Sequence, residues 1–252
     1  YPHRKVHRFR GKLETTRKAI MKRTYDIGDY GAQPDEATLS TEPVQRAIDE
    51  CHAQGGGRVI CGPGRFRIGS LRLKSNVELH LDTGCELIGS VDLGDYEDFE
   101  AEGFLGGNAP EKNIKSLIRA INAENIAITG GGKIDGHGLA FYNTDEMNGP
   151  FFSKPPTARP RMVMFFECRD VRIENTAFLE SPCWTLWLMK CERVRISGAR
   201  VAGDQRMINN DGIDLDSCRD VTVSDCRIRT GDDCVVLRAI DQMFDEPAPC
   251  EN

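Results

Sequence analysis

The sequence predicts an all-β protein that folds as a right-handed parallel β-helix, a solenoid of stacked coils with one α-helix capping its N-terminal end. The prediction depends on a repeat of one small residue, two polar residues and an apolar-any-apolar triplet. The repeat reads AENIAI from Ala123, CRDVRI from Cys168, CERVRI from Cys191 and CRDVTV from Cys218. The cysteine steps of 23 and 27 residues are typical of solenoids built from short strands. Coils stacked about 4.8 Å apart bury such positions in columns.

A capping helix is predicted over residues 41–53, within STEPVQRAIDECHAQGGG. Ser40 or Thr41 can cap its start, Pro43 fits the first turn, and Gly55–Gly57 end it. The apolar face has helical spacing and consists of Val44, Ala47, Ile48 and Cys51. The β-rich runs RVIC, FRIGSLRL, VELHLD and CELIGS follow and predict the first strands.

The composition indicates a soluble globular chain with 39% hydrophobic and 29% charged residues. A net charge of −6 argues against a general nucleic-acid binder. No apolar run approaches the ~20 residues of a membrane span. The ten cysteines contain no CxxC pair, so we expect free, buried thiols rather than zinc ligands, with disulfides as the alternative.

We expect one solenoid domain over residues 24–252, preceded by a disordered N-terminal extension over residues 1–23. Cys250-Glu251-Asn252 resembles the start of another repeat whose Val-x-Ile does not follow, so the parent protein is expected to contain further coils. The basic N-terminus lacks the apolar region of a secretory signal. A cytoplasmic location is therefore expected, or a secreted one if the true N-terminus is missing.

Three carboxylates are predicted to meet on one face of the solenoid. When the apolar residues after NNDG and GDDC are aligned, Asp211 lies one coil of 22 residues before Asp233. The two side chains then stack about 5 Å apart on neighbouring coils, with Asp232 beside them. Like charges at this distance raise at least one pKa, so one acid keeps its proton while another ionises. Glycoside hydrolysis requires this division of roles.

A structural role competes with catalysis for these residues. Asp and Asn are common in β-helix turns, where their side chains bond to local backbone, and an isolated Asp-Asp pair is usually structural or solvated. The match in register between two motifs favours a site, but the pattern by itself leaves both interpretations open.

The two acidic motifs resemble those of glycoside hydrolase family 28, the polygalacturonases. Asn209–Asp214, NNDGID, resembles the family motif NTDGxD, and Gly231–Cys234 resembles its GDDC motif. RPRMVMFFECRDVRIEN and ESPCWTLWLMKCERVRI resemble the preceding coils. YDIGDYGAQPDEATLSTEPVQRAIDEC resembles the start of the wider pectin-degrading β-helix superfamily. The resemblance covers about residues 24–252.

The resemblance implies inverting hydrolysis of α-1,4-galacturonosyl linkages in pectin or oligogalacturonides, with no cofactor and no metal. By the match, Asp232 is the general acid, and Asp211 and Asp233 hold and activate the water. Asn209 helps to orient this cluster. Asn210 replaces the usual threonine of the family, a mild departure.

This sequence contains only part of the substrate-binding residues that the resemblance implies. The family's site histidine and its Arg and Lys lie after the GDD coil, in a region that would follow Asn252. Within this sequence, Arg238 is the best candidate to meet a uronate carboxylate, and otherwise lies on a solvated face. Asp214 is a candidate subsite residue, predicted to point outward from its strand together with Asp216. Candidates that rank lower are Arg159, Arg161 and Arg206, and the tryptophans Trp184 and Trp187, which are more often core residues.

Two other functions stay open. A lyase on the same fold needs Ca²⁺ bound by carboxylates, which the acidic cluster could supply, and a basic residue that no motif places there. A non-catalytic carbohydrate-binding solenoid is the third interpretation. The expected partner is a pectic polysaccharide or oligogalacturonide, with no nucleic acid and no membrane, and the sequence does not predict an oligomeric state.

Overall fold

The computed structural model describes residues 23–107, 109–154 and 157–251, and it confirms the predicted right-handed parallel β-helix. Each coil runs through three parallel sheets, A, B and C, before it rises to the next coil. Neighbouring coils pair in register, so equivalent residues stack along the axis. The predicted N-terminal extension, residues 1–23, lies outside the described residues apart from Arg23.

The strands and 3-10 helices have the following bounds. Sheet A contains Thr24–Asp26, Gly57–Cys61, Val77–Leu81, Glu124–Thr129, Arg169–Glu174, Glu192–Ser197 and Arg219–Ser224. Sheet B contains Asp35–Leu39, Gly64–Ile68, Cys85–Gly89, Lys133–Asp135, Ala177–Leu179, Arg200–Ala202 and Arg227–Arg229. Sheet C contains Leu71–Arg72, Ser116–Ile121, Arg161–Phe166, Leu186–Met189, Ile213–Asp216 and Val235–Arg238. A separate antiparallel hairpin pairs Asn143–Asn148 with Phe151–Ser153, and the 3-10 helices are Ile27–Tyr30, Leu93–Asp95 and Gly138–Phe141.

The repeat positions form the predicted columns in the core. In sheet A, Val171 pairs with Ile126 below and Val194 above. Cys168 and Cys191 precede these strands and are buried. All ten cysteines are free and seven of them are buried, which fits the prediction that they act as small core hydrophobes.

The turn from sheet C into sheet A explains the polar residues of the repeat. The second residue after each column cysteine has a left-handed backbone, with φ of 55° at Asp170, 52° at Arg193 and 52° at Asp220. Asp adopts this conformation more readily than most residues, which accounts for the Asp in CRDV. Arg193 is the exception, and its guanidinium donates to both carboxylate oxygens of Asp170, at 2.8 and 2.9 Å.

The capping helix is confirmed as Thr41–Ala53, and its four predicted apolar residues are buried in the same core as the first strands. The N-cap position is Ser40, but its side chain makes no capping hydrogen bond. The Ser40 hydroxyl instead accepts a hydrogen bond from the Gln33 amide at 3.1 Å. Within the described residues, no helix is both long and apolar enough to cross a membrane.

A second apolar cluster covers the outer face of sheet C. Phe166 and Trp187 point outward from their strands into this cluster and are fully buried. Phe99 and Phe244 come from two loops, which are joined where the Leu105 amide donates to the Met243 carbonyl at 2.9 Å. The outward positions of Phe166 and Trp187 on sheet C therefore face protein rather than water.

Candidate active site

The predicted catalytic aspartates lie at the corner where the chain passes from sheet B into sheet C. In the last two coils the following strands pair with Ile213 opposite Val235, so Asp211 and Asp233 stack as the sequence predicts. The Gly212 amide donates to the Asp233 carbonyl at 2.9 Å and holds this register up to the acidic residues themselves.

The three carboxylates converge. One oxygen from each of Asp211, Asp232 and Asp233 lies within 4.8 Å of the other two. Asp211 is 5% exposed, whereas the other two side chains are exposed. In the lyase alternative, these same oxygens would be the calcium ligands. One buried and two accessible acids at this spacing give a site that water and a sugar can reach from one side.

Burial and repulsion give Asp211 an unusual proton affinity. Its pKa rises from 3.8 to about 7, chiefly because burial penalises the charged form, and then because of the neighbouring Asp232 charge. Arg238 acts in the opposite direction, and Asp233 adds a smaller repulsion. One Asp211 oxygen is buried without a hydrogen-bond partner. Asp211 of the free protein therefore keeps its proton up to near-neutral pH.

Arg238 forms the floor beneath this cluster. Its Nε donates to Asp216 Oδ1 at 3.0 Å, and its Nη2 donates to Asp216 Oδ2 at 2.9 Å. Nη2 also lies 3.0 Å from Asp214 Oδ1. The guanidinium stacks over Trp184, with Cζ 4.3 Å from the ring centroid. Trp187 Nε1 donates to Asp216 Oδ2 at 2.5 Å and completes the network.

The strand that follows Asp211 carries two further aspartates, and solvent reaches neither of them. Asp214 and Asp216 do point outward from the solenoid core, but both are 0% exposed because the second apolar cluster and Arg238 cover them. Burial raises the pKa of Asp214 well above its usual range, against the opposing effect of Arg238. The predicted subsite residue Asp214 thus has no accessible surface, and Arg238 is a partly buried counter-ion rather than a solvated side chain.

Asn209 lies two residues before Asp211 in a left-handed conformation with φ of 59°. Its Oδ1 accepts a hydrogen bond from Arg159 Nη2 at 3.0 Å. The next residue, Asn210, is 1% exposed, and its Nδ2 donates to the Ser181 carbonyl at 2.6 Å. The NND segment is therefore tied to the coil below it.

The remaining candidates are structural in this arrangement. Arg159 and Arg161 have no exposed surface and share the carboxylate of Glu111, so they do not reach a solvent-borne uronate. Arg206 is exposed and forms a bidentate pair with Asp204. Trp184 and Trp187 are buried, as the more common interpretation predicted. Nothing in the sequence pattern pointed to Glu111, which lies in a loop far from both motifs.

A comparison with known protein families identifies the family of this chain. The family model described as glycosyl hydrolases family 28 matches residues 58–244, which include the whole acidic cluster. The chain belongs to glycosyl hydrolases family 28. A family 28 relative, a probable polygalacturonase of Vitis vinifera, is 30% identical over 218 residues. The match covers 84% of this chain and 43% of the relative, so the chain spans less than half of that relative's length.

Two solved structures are similar to this chain. A hyperthermoactive exopolygalacturonase from Thermotoga maritima superposes with a TM-score of 0.71 at 28% identity, covering 86% of this chain and 54% of the other. The family 28 exopolygalacturonase of Yersinia enterocolitica gives a TM-score of 0.74 at 24% identity, covering 91% and 48%. The second similarity supports the fold.

Proposed function

We propose that the protein hydrolyses α-1,4-galacturonosyl linkages in pectic polysaccharide or oligogalacturonides. The observation that carries the proposal is the meeting of three carboxyl oxygens within 4.8 Å, contributed by two coils of a family 28 β-helix. The names of similar proteins, a probable polygalacturonase and exopolygalacturonases, support the substrate class.

In the proposed mechanism, Asp232 protonates the glycosidic oxygen, and Asp211 with Asp233 holds the water that attacks the anomeric carbon. As the C–O bond breaks, one of the two water-holding carboxylates takes the proton that the water loses. The free protein keeps a proton on Asp211, whose pKa is about 7. Because the oxygens are within 4.8 Å, one bridging water can carry that proton to Asp232 before the glycosidic oxygen is protonated.

The stereochemistry needs its own test. Acid and base are usually about 6.5–9.5 Å apart in inverting glycosidases and about 5–5.5 Å apart in retaining ones. The oxygens here are closer than the inverting range, which by itself favours retention. We propose inversion because the site has a third carboxylate. Asp211 and Asp233 can hold the attacking water between them, so no larger distance between Asp232 and a single base is needed to admit it. Proton NMR of the first product settles this: inversion releases the β-anomer from an α-linkage, and retention releases the α-anomer.

The substrate-binding residues remain proposals. Nε and Nη2 of Arg238 hydrogen-bond to Asp216, and we propose that Nη1 meets a uronate carboxylate. We propose that Asn209 acts through its position beside Asp211. Asp214 is proposed to act from below, by fixing Arg238 rather than by touching the sugar.

The test uses the protein in its natural full length, acting on polygalacturonate with calcium chelated. Reducing ends and ultraviolet absorbance are followed for wild type, for Asp232→Asn and for a control, Asp225→Asn. Asp225 lies on the same coil as Asp232 but at an exposed turn with φ of 56°, which Asn tolerates.

We expect saturated reducing ends from wild type and Asp225→Asn, and at least a ~10²-fold loss in Asp232→Asn, since general acid catalysis typically contributes 10²–10⁴-fold. Unsaturated products that need calcium would favour the lyase. Binding without turnover in every form of the protein would favour the carbohydrate-binding solenoid.

A further inference from the structure

Arg159 is held in a completely paired, buried setting beneath the NND segment. Its side chain has no exposed surface. Nε donates to Glu111 Oε1 at 2.7 Å, and Nη2 lies 2.6 Å from the same oxygen. Nη1 donates to the Tyr142 hydroxyl at 2.6 Å and to the Ile208 carbonyl at 2.7 Å, and Nη2 donates to Asn209 Oδ1 at 3.0 Å. Each of the three guanidinium nitrogens thus donates at least one hydrogen bond, and the Nη2 contact with Glu111 adds an ion pair.

The two contacts on Ile208 and Asn209 lie immediately before the acidic residues. Asn209 has a left-handed φ of 59°, so the chain changes direction just ahead of Asp211. Asn210 is anchored separately to the Ser181 carbonyl. After Asp211, the Gly212 amide is bonded to the next coil at 2.9 Å. The Tyr142 hydroxyl also donates to the Ile208 carbonyl at 2.7 Å. The backbone that carries Asp211 is thus fixed on both sides, and on the N-terminal side Arg159 is the residue that contacts both Ile208 and Asn209.

The neighbouring Arg161 gives a matched comparison. It is equally buried and contacts the same Glu111 carboxylate, with Nη2 3.2 Å from Oε2. Its Nε and Nη2 have no hydrogen-bond partner, and its one hydrogen bond, at 3.3 Å, goes to the carbonyl of Arg159. Within the described residues, the Arg161 side chain forms no hydrogen bond with residues 208–211. Both arginines are fully buried and both pair with Glu111. They differ because Arg159 also hydrogen-bonds to Ile208 and Asn209, just before Asp211.

A buried ion pair is a poor source of stability, because desolvation offsets most of its attraction. Four hydrogen bonds from one buried guanidinium, two of them to Ile208 and Asn209, are better explained by the geometry that they impose. We infer that Arg159 is a positioning residue that sets the place of Asp211 through Ile208 and Asn209. As a statement about catalysis, this inference depends on the proposed hydrolase activity.

The test compares Arg159→Lys with Arg161→Lys in the full-length protein on polygalacturonate. Both changes keep the positive charge and remove the planar donor set. We expect kcat to fall about 10–100-fold in Arg159→Lys, since a misplacement near 1 Å can cost 10²-fold, with KM changed less than about threefold. Arg161→Lys should keep kcat within about threefold while losing a similar amount of thermal stability. Equal kcat losses in both variants, or no loss in Arg159→Lys, would overturn the inference.

Chemical rescue adds a second readout that a purely structural role would not affect. Millimolar guanidinium chloride should raise the turnover of Arg159→Ala several-fold and leave that of Arg161→Ala unchanged. If neither variant responds, or both respond equally, the assigned role of Arg159 fails.

Hydrogen exchange separates this inference from the proposed activity. The Gly212 and Ile213 amides donate to Asp233 and Cys234 across the coil boundary, so their protection reports the position of the Asp211 turn. Protection should drop at least ~10-fold in Arg159→Lys and stay unchanged in Arg161→Lys, even if no substrate is cleaved. Unchanged protection in both variants would reject the positioning role. If the wild type is inactive but protection drops in Arg159→Lys and not in Arg161→Lys, only the proposed reaction is rejected.

Discussion

Replacing Asp211 with Asn should make the protein more stable, by an amount that depends on pH. The folded protein holds the Asp211 proton up to a pKa of about 7, whereas the unfolded chain releases it near 3.8. Since the unfolded state loses this proton first, the folded state becomes progressively less favoured as pH rises between these two values. The full shift of about three pH units corresponds to about 4 kcal/mol at about 1.4 kcal/mol per unit.

The Asn side chain keeps the shape of Asp211 but does not titrate, and its amide can donate to the neighbouring carboxylates. Between pH 5 and pH 7 the shift accounts for two units, so the stability advantage of Asp211→Asn over wild type should grow by about 3 kcal/mol. Above about pH 7.5 the advantage should stay constant, because Asp211 is then ionised in both states.

Urea unfolding at pH 5, 7 and 8.5, followed by the fluorescence of the two buried tryptophans, measures this difference. Asp225→Asn, at an exposed turn, serves as the control and should change stability by less than about 0.5 kcal/mol. An advantage of Asp211→Asn that is the same at all three pH values would refute the reasoning. It would show that burial does not keep the proton on this carboxyl.

Two other perturbations test the surroundings of the cluster. Arg238→Gln leaves the buried Asp216 carboxylate without its counter-ion and should cost about 3–5 kcal/mol in urea unfolding, whereas Arg206→Gln, at an exposed pair, should cost less than about 1 kcal/mol. Gly212→Ala brings a new Cβ against the Cys234 carbonyl of the next coil and should reduce turnover at least ~100-fold by separating the carboxylates. Gly62→Ala, where a Cβ meets nothing within 4 Å, should leave turnover within about twofold. Comparable effects at both members of either pair would contradict these assignments.

The sequence predicted the stacking of Asp211 on Asp233 because both motifs precede strands with the same apolar alternation. Parallel pairing in register turns a linear spacing of one coil into spatial contact. The capping helix followed from its spacing in the same way. Local periodicity carries this information, so residues on regular strands could be placed without a structure.

The burial of Asp214 could not be predicted by the same reasoning. Alternation along a strand shows which side chains leave the core of the coil, but not whether another segment covers them. Phe99 and Phe244 form the cover. Phe99 lies in a loop more than a hundred residues before Asp214, and Phe244 lies in a loop that follows the last strand of sheet C. The ion pairs of Arg159 and Arg161 depend on the same long-range loop packing.

The corners of the coil differ in how much sequence change they admit. In the coils of Cys168, Cys191 and Cys218, the passage from sheet C into sheet A is confined to a buried thiol and residues with fixed left-handed backbones. The corner from sheet B into sheet C ranges from the short segments 69–70 and 230–234 to the long segments 90–115 and 136–160. This is also the corner that carries the carboxylates. The fold can therefore acquire new loops around its acids, and hence new substrate preferences, while the columns that align those acids stay unchanged.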